Sequence, residues 1–219
     1  MRSLPILHQD EHWIVVDKPA GLLSVPDAGS GQSSVPEALV EDGLRAFAVH
    51  RLDREVSGVL LLATSEAARD ALQELFRRHV VEKAYWGMVS GRMEPGEGTL
   101  GYPILEEPNG ARVSARGKPA RTRYRTLATH PAASELELEL LTGRKNQIRV
   151  HLAHAGHPLV GERKYALGRD SALALRSRRV ALHAWRMAFQ DPWRACEVRV
   201  EAPLPEDLED LRRRARKAE

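Results

Sequence analysis

A polar cluster directly precedes the most apolar run of the sequence. Residues 48–64 read AVHRLDREVSGVLLLAT and begin with His50, Arg51 and Asp53 around a single apolar residue. Residues 59–63 are all apolar, a pattern that indicates a strand buried on both faces. Polar side chains at the end of such a strand are held rigidly, as a reactive group requires. Asp53 is therefore the first candidate for chemistry, although turns and caps are common roles for an isolated aspartate.

Other catalytic patterns are incomplete in this sequence. A nucleophile elbow requires G-x-S-x-G, whereas Ser57 lies in Glu-Val-Ser-Gly-Val. The sequence contains neither a phosphate-binding P-loop nor a dinucleotide fingerprint. His151, His154 and His157 are spaced by three residues, but zinc ligands on one helix usually sit four apart. We therefore expect no metal, and we expect His151 to be a packed or hydrogen-bonded helix residue.

The composition is that of an ordinary globular protein. Of 219 residues, 42% are hydrophobic and 29% are charged, and no apolar run is long enough for a transmembrane helix. The N-terminus becomes charged within ten residues, which is atypical of a signal peptide. Cys196 is the only cysteine, so we expect no internal disulfide and a cytoplasmic location.

Basic residues are concentrated in one segment, although the net charge is only +3. Residues 112–125 contain no acid and hold six cations, namely Arg112, Arg116, Lys118, Arg121, Arg123 and Arg125. Arginine suits bidentate contacts with phosphate. The segment is consistent with a polyanionic partner, and a solvated basic face is the alternative.

Periodicity and capping signals predict the order of the secondary structure. We expect a hairpin over 4–16, a helix opened by a capping box at Ser34 and Glu37, and an amphipathic helix over 65–79. Further predicted elements are strands at 82–90, 120–127, 134–141, 180–189 and 196–200, a loop at 95–98, a helix over 146–155 and a basic helix from 206. Strands occur in runs, which predicts one α+β domain (1–219) with a mixed, largely antiparallel sheet flanked by helices.

Four segments resemble the motifs of one family, in that family's order. HRLDREVSGVLLLA (50–63) is similar to the catalytic motif of the RluA-type pseudouridine synthases, normally HRLD-x-x-T-S-G before an apolar run. EKAYWGMV (82–89) resembles their K-x-Y-x-x-x-V segment, and DKPAGLLSVP (17–26) resembles their NKPSGLLSVP. TGRKNQIRVHLAHAGHPLVGERKYA (142–166) resembles GR-T/S-H-Q-I/L-R-V-H with its trailing GHP-I-x-GD-x-x-Y. The departures are Val56 for threonine and Lys145-Asn146 for Thr/Ser-His.

The resemblance implies a pseudouridine synthase fold with a catalytic cleft and the isomerisation of uridine in RNA. The base leaves C1′ through N1, turns, and is reattached through C5, so no cofactor is expected. Asp53 would attack C1′ or take a proton from C2′, and the sequence leaves both routes open. By the same resemblance Tyr85 would stack on the base, and Arg149 would keep Asp53 ionised in a dry site.

The resemblance also implies that the target uridine leaves its stack. Flipping the uridine out of its stack costs a few kcal/mol. Stacking the base on one tyrosine returns about the same free energy, so contacts with the RNA backbone must supply the affinity. Arg51 would enter the space left by the base, with an internal ion pair as the alternative, and Leu182 would pack on the base. The other expected RNA contacts are His50, Arg144, Gln147, Arg116, Lys118 and Arg121.

The sequence thus predicts a monomeric pseudouridine synthase without an S4 domain, acting on 23S rRNA, tRNA or both. A catalytically silent RNA-binding protein or RNA chaperone on the same fold is the main alternative. A weaker alternative is a metal-dependent hydrolase that uses His50, Asp53 and the histidines around His151.

Overall fold

The structure, a computed structural model, describes residues 3–27, 29, 31–166 and 175–217. The chain forms two compact units, the first comprising Met1–Lys83 and Ala184–Pro203 and the second Ala84–His183 and Leu204–Glu219. The expectation of one domain stays a prediction.

Twelve strands and four helices are defined within the described residues. The strands are β1 Ile6–Gln9, β2 Trp13–Lys18, β3 Phe47–Ala48, β4 Ser57–Ala63, β5 Glu82–Ser90, β6 Glu97–Leu100, β7 Ile104–Glu107, β8 Gly110–Val113, β9 Thr122–His130, β10 Ala133–Leu140, β11 Leu182–Gln190 and β12 Glu197–Glu201. The helices are α1 Val35–Glu41, α2 Glu66–Arg77, α3 Gln147–His154 and α4 Glu206–Lys217. The predicted α+β class is confirmed.

The first unit is built around β4. Its strands follow the order β1-β2-β4-β11, with β3 pairing β4 and β12 pairing β11. The β1–β2, β2–β4, β3–β4 and β11–β12 pairs are antiparallel. All seven residues of β4 are buried, which confirms the predicted fully buried strand. Trp13, Leu61, Leu72 and Phe189 pack in the core of this unit.

Of the two helices of the first unit, α1 begins at the predicted capping box and α2 begins where the helix over 65–79 was predicted to start. Ser34 and Glu37 form the capping box of α1, and the Ser65 hydroxyl caps α2 by accepting from the Ala68 amide. Ala68 and Leu72 of α2 are buried as the spacing predicts. The predicted end of this helix at residue 79 was wrong: His79 follows the end of α2 with a φ of 55° and is exposed.

The second unit contains a four-stranded antiparallel arrangement in the order β5-β10-β9-β6. A separate hairpin pairs β7 with β8. The sequence did not predict β7 and β8, and it placed residues 97 and 98 in a loop although they begin β6. These strands are four residues long, too short for a clear alternation. In addition, β6 pairs with β9, a distant segment of the chain.

A carboxylate of β10 is buried in the second unit. Glu135 is 0% exposed, and its oxygens meet the His130 Nε2 at 2.8 Å and the Arg212 Nε of α4 at 2.9 Å. The indole N–H of Trp86 donates to it at 3.3 Å. These partners balance the cost of burying the charge.

Among the described residues, no helix combines the length and the apolar character of a membrane span.

Candidate active site

Asp53 lies in the loop that leads into β4, four residues before the strand begins, and its side chain is half-buried. Its carbonyl oxygen accepts from the Val56 amide at 3.0 Å, which closes a turn before the strand. The predicted placement of a carboxylate at the start of a fully buried strand is therefore confirmed. The catalytic role predicted for Asp53 stays a prediction.

The residue before Asp53 is fixed on both sides of its peptide group. The hydroxyl of Ser24 donates to the Leu52 carbonyl oxygen at 2.8 Å and accepts from the Leu52 amide at 3.0 Å. Ser24 is 3% exposed and Leu52 is 6% exposed, so water does not compete for these bonds. The segment after β2 thus holds the backbone that carries Asp53.

The residue after Asp53 is held by a buried lysine. The Lys18 ammonium group donates to the carbonyl oxygens of Pro19 and Leu22, each at 2.9 Å, and of Arg54 at 3.2 Å. Lys18 is 0% exposed, and carbonyl oxygens make a buried ammonium group tolerable. The Arg54 carbonyl oxygen also accepts from the Gly21 amide at 2.7 Å.

Packing explains two residues of segment 50–63, Val56 and Gly58. Gly58 has a φ of 111°, and a Cβ there would lie 2.2 Å from the Ala184 carbonyl oxygen, so only glycine fits. Val56 is 2% exposed. A buried valine needs no hydrogen-bond partner, whereas the threonine hydroxyl usual in the family would need one.

His50 is held inside the first unit. Its Nε2 accepts from the Leu61 amide at 3.0 Å, and its ring stacks on Phe76 with 4.6 Å between centroids. Burial, with a smaller contribution from the Lys83 charge, lowers the pKa of His50 to about 3. The imidazole is therefore neutral, and its hydrogen bond to β4 fixes the start of the loop that carries Asp53. Its predicted contact with RNA stays a prediction, whereas Arg51 beside it is exposed.

Tyr85 lies within β5 and Leu182 begins β11, and both are largely buried, at 7% and 3% exposed. Tyr85 lies on β5 opposite Leu138 of β10, and Leu182 is the first residue of β11. Their predicted stacking on the target base stays a prediction.

Arg149 lies on α3, is 6% exposed, and forms a bidentate ion pair with Glu162. The Nε–Oε2 distance is 2.7 Å and the Nη2–Oε1 distance is 2.9 Å. The burial of Arg149 agrees with the dry site that the resemblance implies, but its predicted role of keeping Asp53 ionised stays a prediction. The sequence did not identify Glu162 as a partner of Arg149. The only available signal was its place in GERKYA, where the family's motif has an aspartate.

The residues just before Arg149 organise the start of α3. Asn146 has a φ of 54°, a backbone conformation that asparagine tolerates better than most residues. The Gln147 amide makes four hydrogen bonds, to Thr142 Oγ1, the Arg144 amide, the Arg121 carbonyl oxygen and Thr122 Oγ1. Gln147 is 2% exposed, so it supports the 142–144 loop. The RNA contacts predicted for Gln147 and Arg144 stay predictions.

His151 has both ring nitrogens in hydrogen bonds, Nδ1 to Thr122 Oγ1 at 3.0 Å and Nε2 to the Tyr102 carbonyl oxygen at 2.8 Å. This confirms its interpretation as a hydrogen-bonded helix residue. No cluster of three or more potential metal ligands occurs within the part of the chain that the structure describes.

Strand pairing divides the basic segment into two groups. Arg112, Arg123 and Arg125 each form an ion pair, with Glu107, Glu139 and Glu137 respectively. Arg116, Lys118 and Arg121 are exposed, and no salt bridge to them occurs among the described residues. The second group coincides with the predicted RNA contacts of this segment, which stay predictions.

The comparisons with known proteins agree in one family. Residues 12–154 match the model of the RNA pseudouridylate synthases. The chain is 40% identical over 223 residues to ribosomal large subunit pseudouridine synthase D of Xylella fastidiosa, covering 94% of this chain and 67% of that protein. It is 36% identical over 195 residues to the dual-specificity RNA pseudouridine synthase RluA of Pasteurella multocida, covering 86% and 88%.

A solved structure supports the same conclusion. The human RNA pseudouridylate synthase domain containing 4 superposes with a TM-score of 0.81 at 27% identity, covering 97% of this chain and 93% of that one. The chain spans about two thirds of the length of the relatives named synthase D. By sequence and by fold, this chain belongs to the RNA pseudouridylate synthase family.

Proposed function

We propose that this chain is an RNA pseudouridine synthase that isomerises uridines in structured RNA. The observation that carries the proposal is Asp53 itself, a half-buried carboxylate on a loop fixed by Ser24 and Lys18, within the segment that matches the family's catalytic motif. A rigid backbone on both sides of a reactive group is what efficient catalysis requires.

Asp53 acts on the sugar. Its carboxylate either attacks C1′ as the bond to N1 breaks, or takes the C2′ proton to form a glycal. The freed uracil turns and C5 bonds to C1′, as the Asp53 ester bond breaks in the first route or as the proton returns to C2′ in the second. The proton on C5 then leaves and N1 takes up a proton, which restores the aromatic base. We assign Tyr85 to stacking on the base and Arg149 to keeping Asp53 ionised, on the basis of the matched motifs.

The names of the relatives indicate the class of RNA. One relative is named for the ribosomal large subunit and another for dual specificity, so we propose 23S rRNA, tRNA or both as substrates. We further propose that the protein acts in the cytoplasm as a monomer. Arg51, Arg116, Lys118 and Arg121, all exposed, are the proposed phosphate and base contacts.

Replacing Asp53 with asparagine tests the activity. We expect Asp53→Asn to abolish pseudouridine formation, because the amide is neither a nucleophile nor a base, while RNA affinity stays within about twofold, because the replacement is isosteric. The measurement is pseudouridine mapping of rRNA and tRNA incubated with each variant, together with RNA binding. The exposed Asp70→Asn is the matched control and should be fully active.

Three outcomes separate the candidate functions. Pseudouridine formation by the Asp53→Asn variant would refute the proposed role of Asp53. RNA binding by the wild-type protein without any pseudouridine would favour the silent RNA-binding protein. Loss of activity in chelator would favour the metal-dependent reading.

A further inference from the structure

The carboxylate of Glu162 accepts four hydrogen bonds. Glu162 is 1% exposed. Its Oε2 accepts from Arg149 Nε at 2.7 Å, and its Oε1 accepts from Arg149 Nη2 at 2.9 Å, the Lys164 amide at 2.8 Å and the Tyr165 amide at 3.2 Å. The same side chain therefore fixes the guanidinium group and the backbone that follows it.

Tyr165 holds the guanidinium group from its face. The Arg149 Cζ lies 5.4 Å from the centroid of the Tyr165 ring, within cation–π distance. The Tyr165 hydroxyl donates to Asn146 Oδ1 at 2.8 Å, and Asn146 is the N-cap residue of the helix that carries Arg149. Glu162 thus binds the edge of the Arg149 guanidinium group, and the Tyr165 ring packs on its face. Through Asn146, Tyr165 also contacts the start of α3, the helix that carries Arg149.

We propose that Glu162 is a positioning residue for the isomerisation, acting through Arg149. This inference rests on the proposed function. Arginine has several rotatable bonds, and a bidentate carboxylate fixes the plane of its guanidinium group. A fixed plane presents the remaining N–H groups in one direction, which a reacting carboxylate requires in its partner.

The proposed role of Glu162 requires the negative charge of its side chain as well as its length. A glutamine at position 162 keeps one acceptor oxygen but removes the negative charge, and its N–H₂ group faces a guanidinium donor. Arg149 would then lose the bidentate pair and adopt other rotamers. An aspartate keeps the charge but withdraws the carboxylate by one methylene, which shifts the guanidinium group and keeps it paired.

The experiment compares variants under single-turnover conditions with saturating enzyme. For Glu162→Gln we expect the rate of pseudouridine formation to fall about 100-fold, with the RNA dissociation constant unchanged within about threefold. For Glu162→Asp we expect a rate about tenfold below that of the wild type. Rates are taken at a temperature where circular dichroism shows each variant to be folded.

Glu135→Gln is the matched control. Glu135 is also a fully buried carboxylate of the second unit paired with an arginine, Arg212, but it contacts no residue assigned to the reaction. This variant should unfold at a lower temperature and keep the wild-type single-turnover rate while folded. A merely structural role of Glu162 predicts the same behaviour for both glutamine variants.

The outcomes are decisive. A folded Glu162→Gln variant with the wild-type rate overturns the proposal, as does a rate that falls equally in Glu135→Gln. If Glu162→Gln does not fold, Glu162→Asp decides: a lower rate with unchanged RNA affinity supports the proposal, and the wild-type rate overturns it. Failure of the wild-type protein to form pseudouridine would instead contradict the proposed function.

Discussion

At the scale of single residues, His50 shows how the interior fixes a protonation state next to the reactive loop. Its ring accepts a hydrogen bond from β4, stacks on Phe76 and lies near the charge of Lys83. Burial and the Lys83 charge favour the neutral ring, and the hydrogen bond that Nε2 accepts from the Leu61 amide leaves the proton on Nδ1. His50 therefore holds the loop as an uncharged group at neutral pH.

The low pKa of His50 predicts an acid-sensitive contribution to stability. Because the folded-state pKa, about 3, lies below the unfolded value of 6.5, the unfolded chain binds the proton more readily. The contribution is complete above pH 6.5 and is lost as the pH falls toward 3. We expect the free energy of unfolding of the wild type, relative to His50→Gln, to fall by about 1–3 kcal/mol between pH 7.5 and pH 4.5.

Denaturant unfolding of both proteins at several pH values measures this difference. The glutamine variant retains every other titrating group, so their contributions cancel. A wild-type advantage that does not change with pH would show that protonation of His50 does not limit stability.

At the scale of elements, the β7–β8 hairpin is held by two lysines, Lys145 just before α3 and Lys164 after it. Lys145 Nζ donates to the carbonyl oxygens of Glu107 and Pro108, at 3.0 and 2.8 Å, and the Lys145 amide donates to Glu106 Oε1 at 2.9 Å. The Lys164 ammonium group donates to the Asn109 carbonyl oxygen. The turn of the hairpin thus has three consecutive carbonyl oxygens bound by ammonium groups.

These contacts explain a departure from the family's motif, because threonine or serine usually stands at position 145. We expect Lys145→Thr to loosen the hairpin, since two charge-assisted hydrogen bonds are lost at a partly exposed site. Hydrogen exchange of amides 104–113 should accelerate about three- to tenfold, with global stability changed by about 1 kcal/mol or less. Lys217→Thr, on exposed α4, is the control and should leave that exchange unchanged.

Equal exchange in the two variants would show that Lys145 does not hold the hairpin.

The elements themselves were predictable to different degrees. Strong local signals located β4, α1 and α2 within one or two residues, because burial on both faces and capping boxes are written in consecutive residues. The four-residue strands β6, β7 and β8 carry no such pattern, because their pairing partners determine them.

At the scale of the whole molecule, the distribution of charge matters more than the net charge of +3. Acids on neighbouring strands neutralise Arg112, Arg123 and Arg125. Cations that are already paired release fewer counterions from RNA than cations that bind phosphate directly. The two groups therefore make different predictions for RNA binding.

We expect alanine replacement of Arg116, Lys118 and Arg121 together to lower the salt dependence of RNA binding. The slope of log K against log salt should decrease in magnitude by about 2–3, because each phosphate contact contributes about 0.7–0.9. Alanine replacement of Arg112, Arg123 and Arg125 removes the same charge and should change the slope by less than about 1. Equal changes in the two triple variants would show that net charge alone governs binding.

The sequence by itself determined the buried strand β4, the carboxylate before it, the capping box of α1 and the family, because each depends on residues close together in the chain. Only the tertiary structure showed that Glu162 holds Arg149, that Ser24 and Lys18 hold the loop around Asp53, and that half of the basic segment is paired. These contacts join residues that are 12 or more positions apart, except for the pairs within the Lys18 turn and the β7–β8 hairpin. Periodicity reports which side chains are buried, whereas their partners are decided by which strands and helices meet. The place of Asp53 before β4 was therefore predictable, whereas the groups that hold its loop and Arg149, its proposed partner, were not.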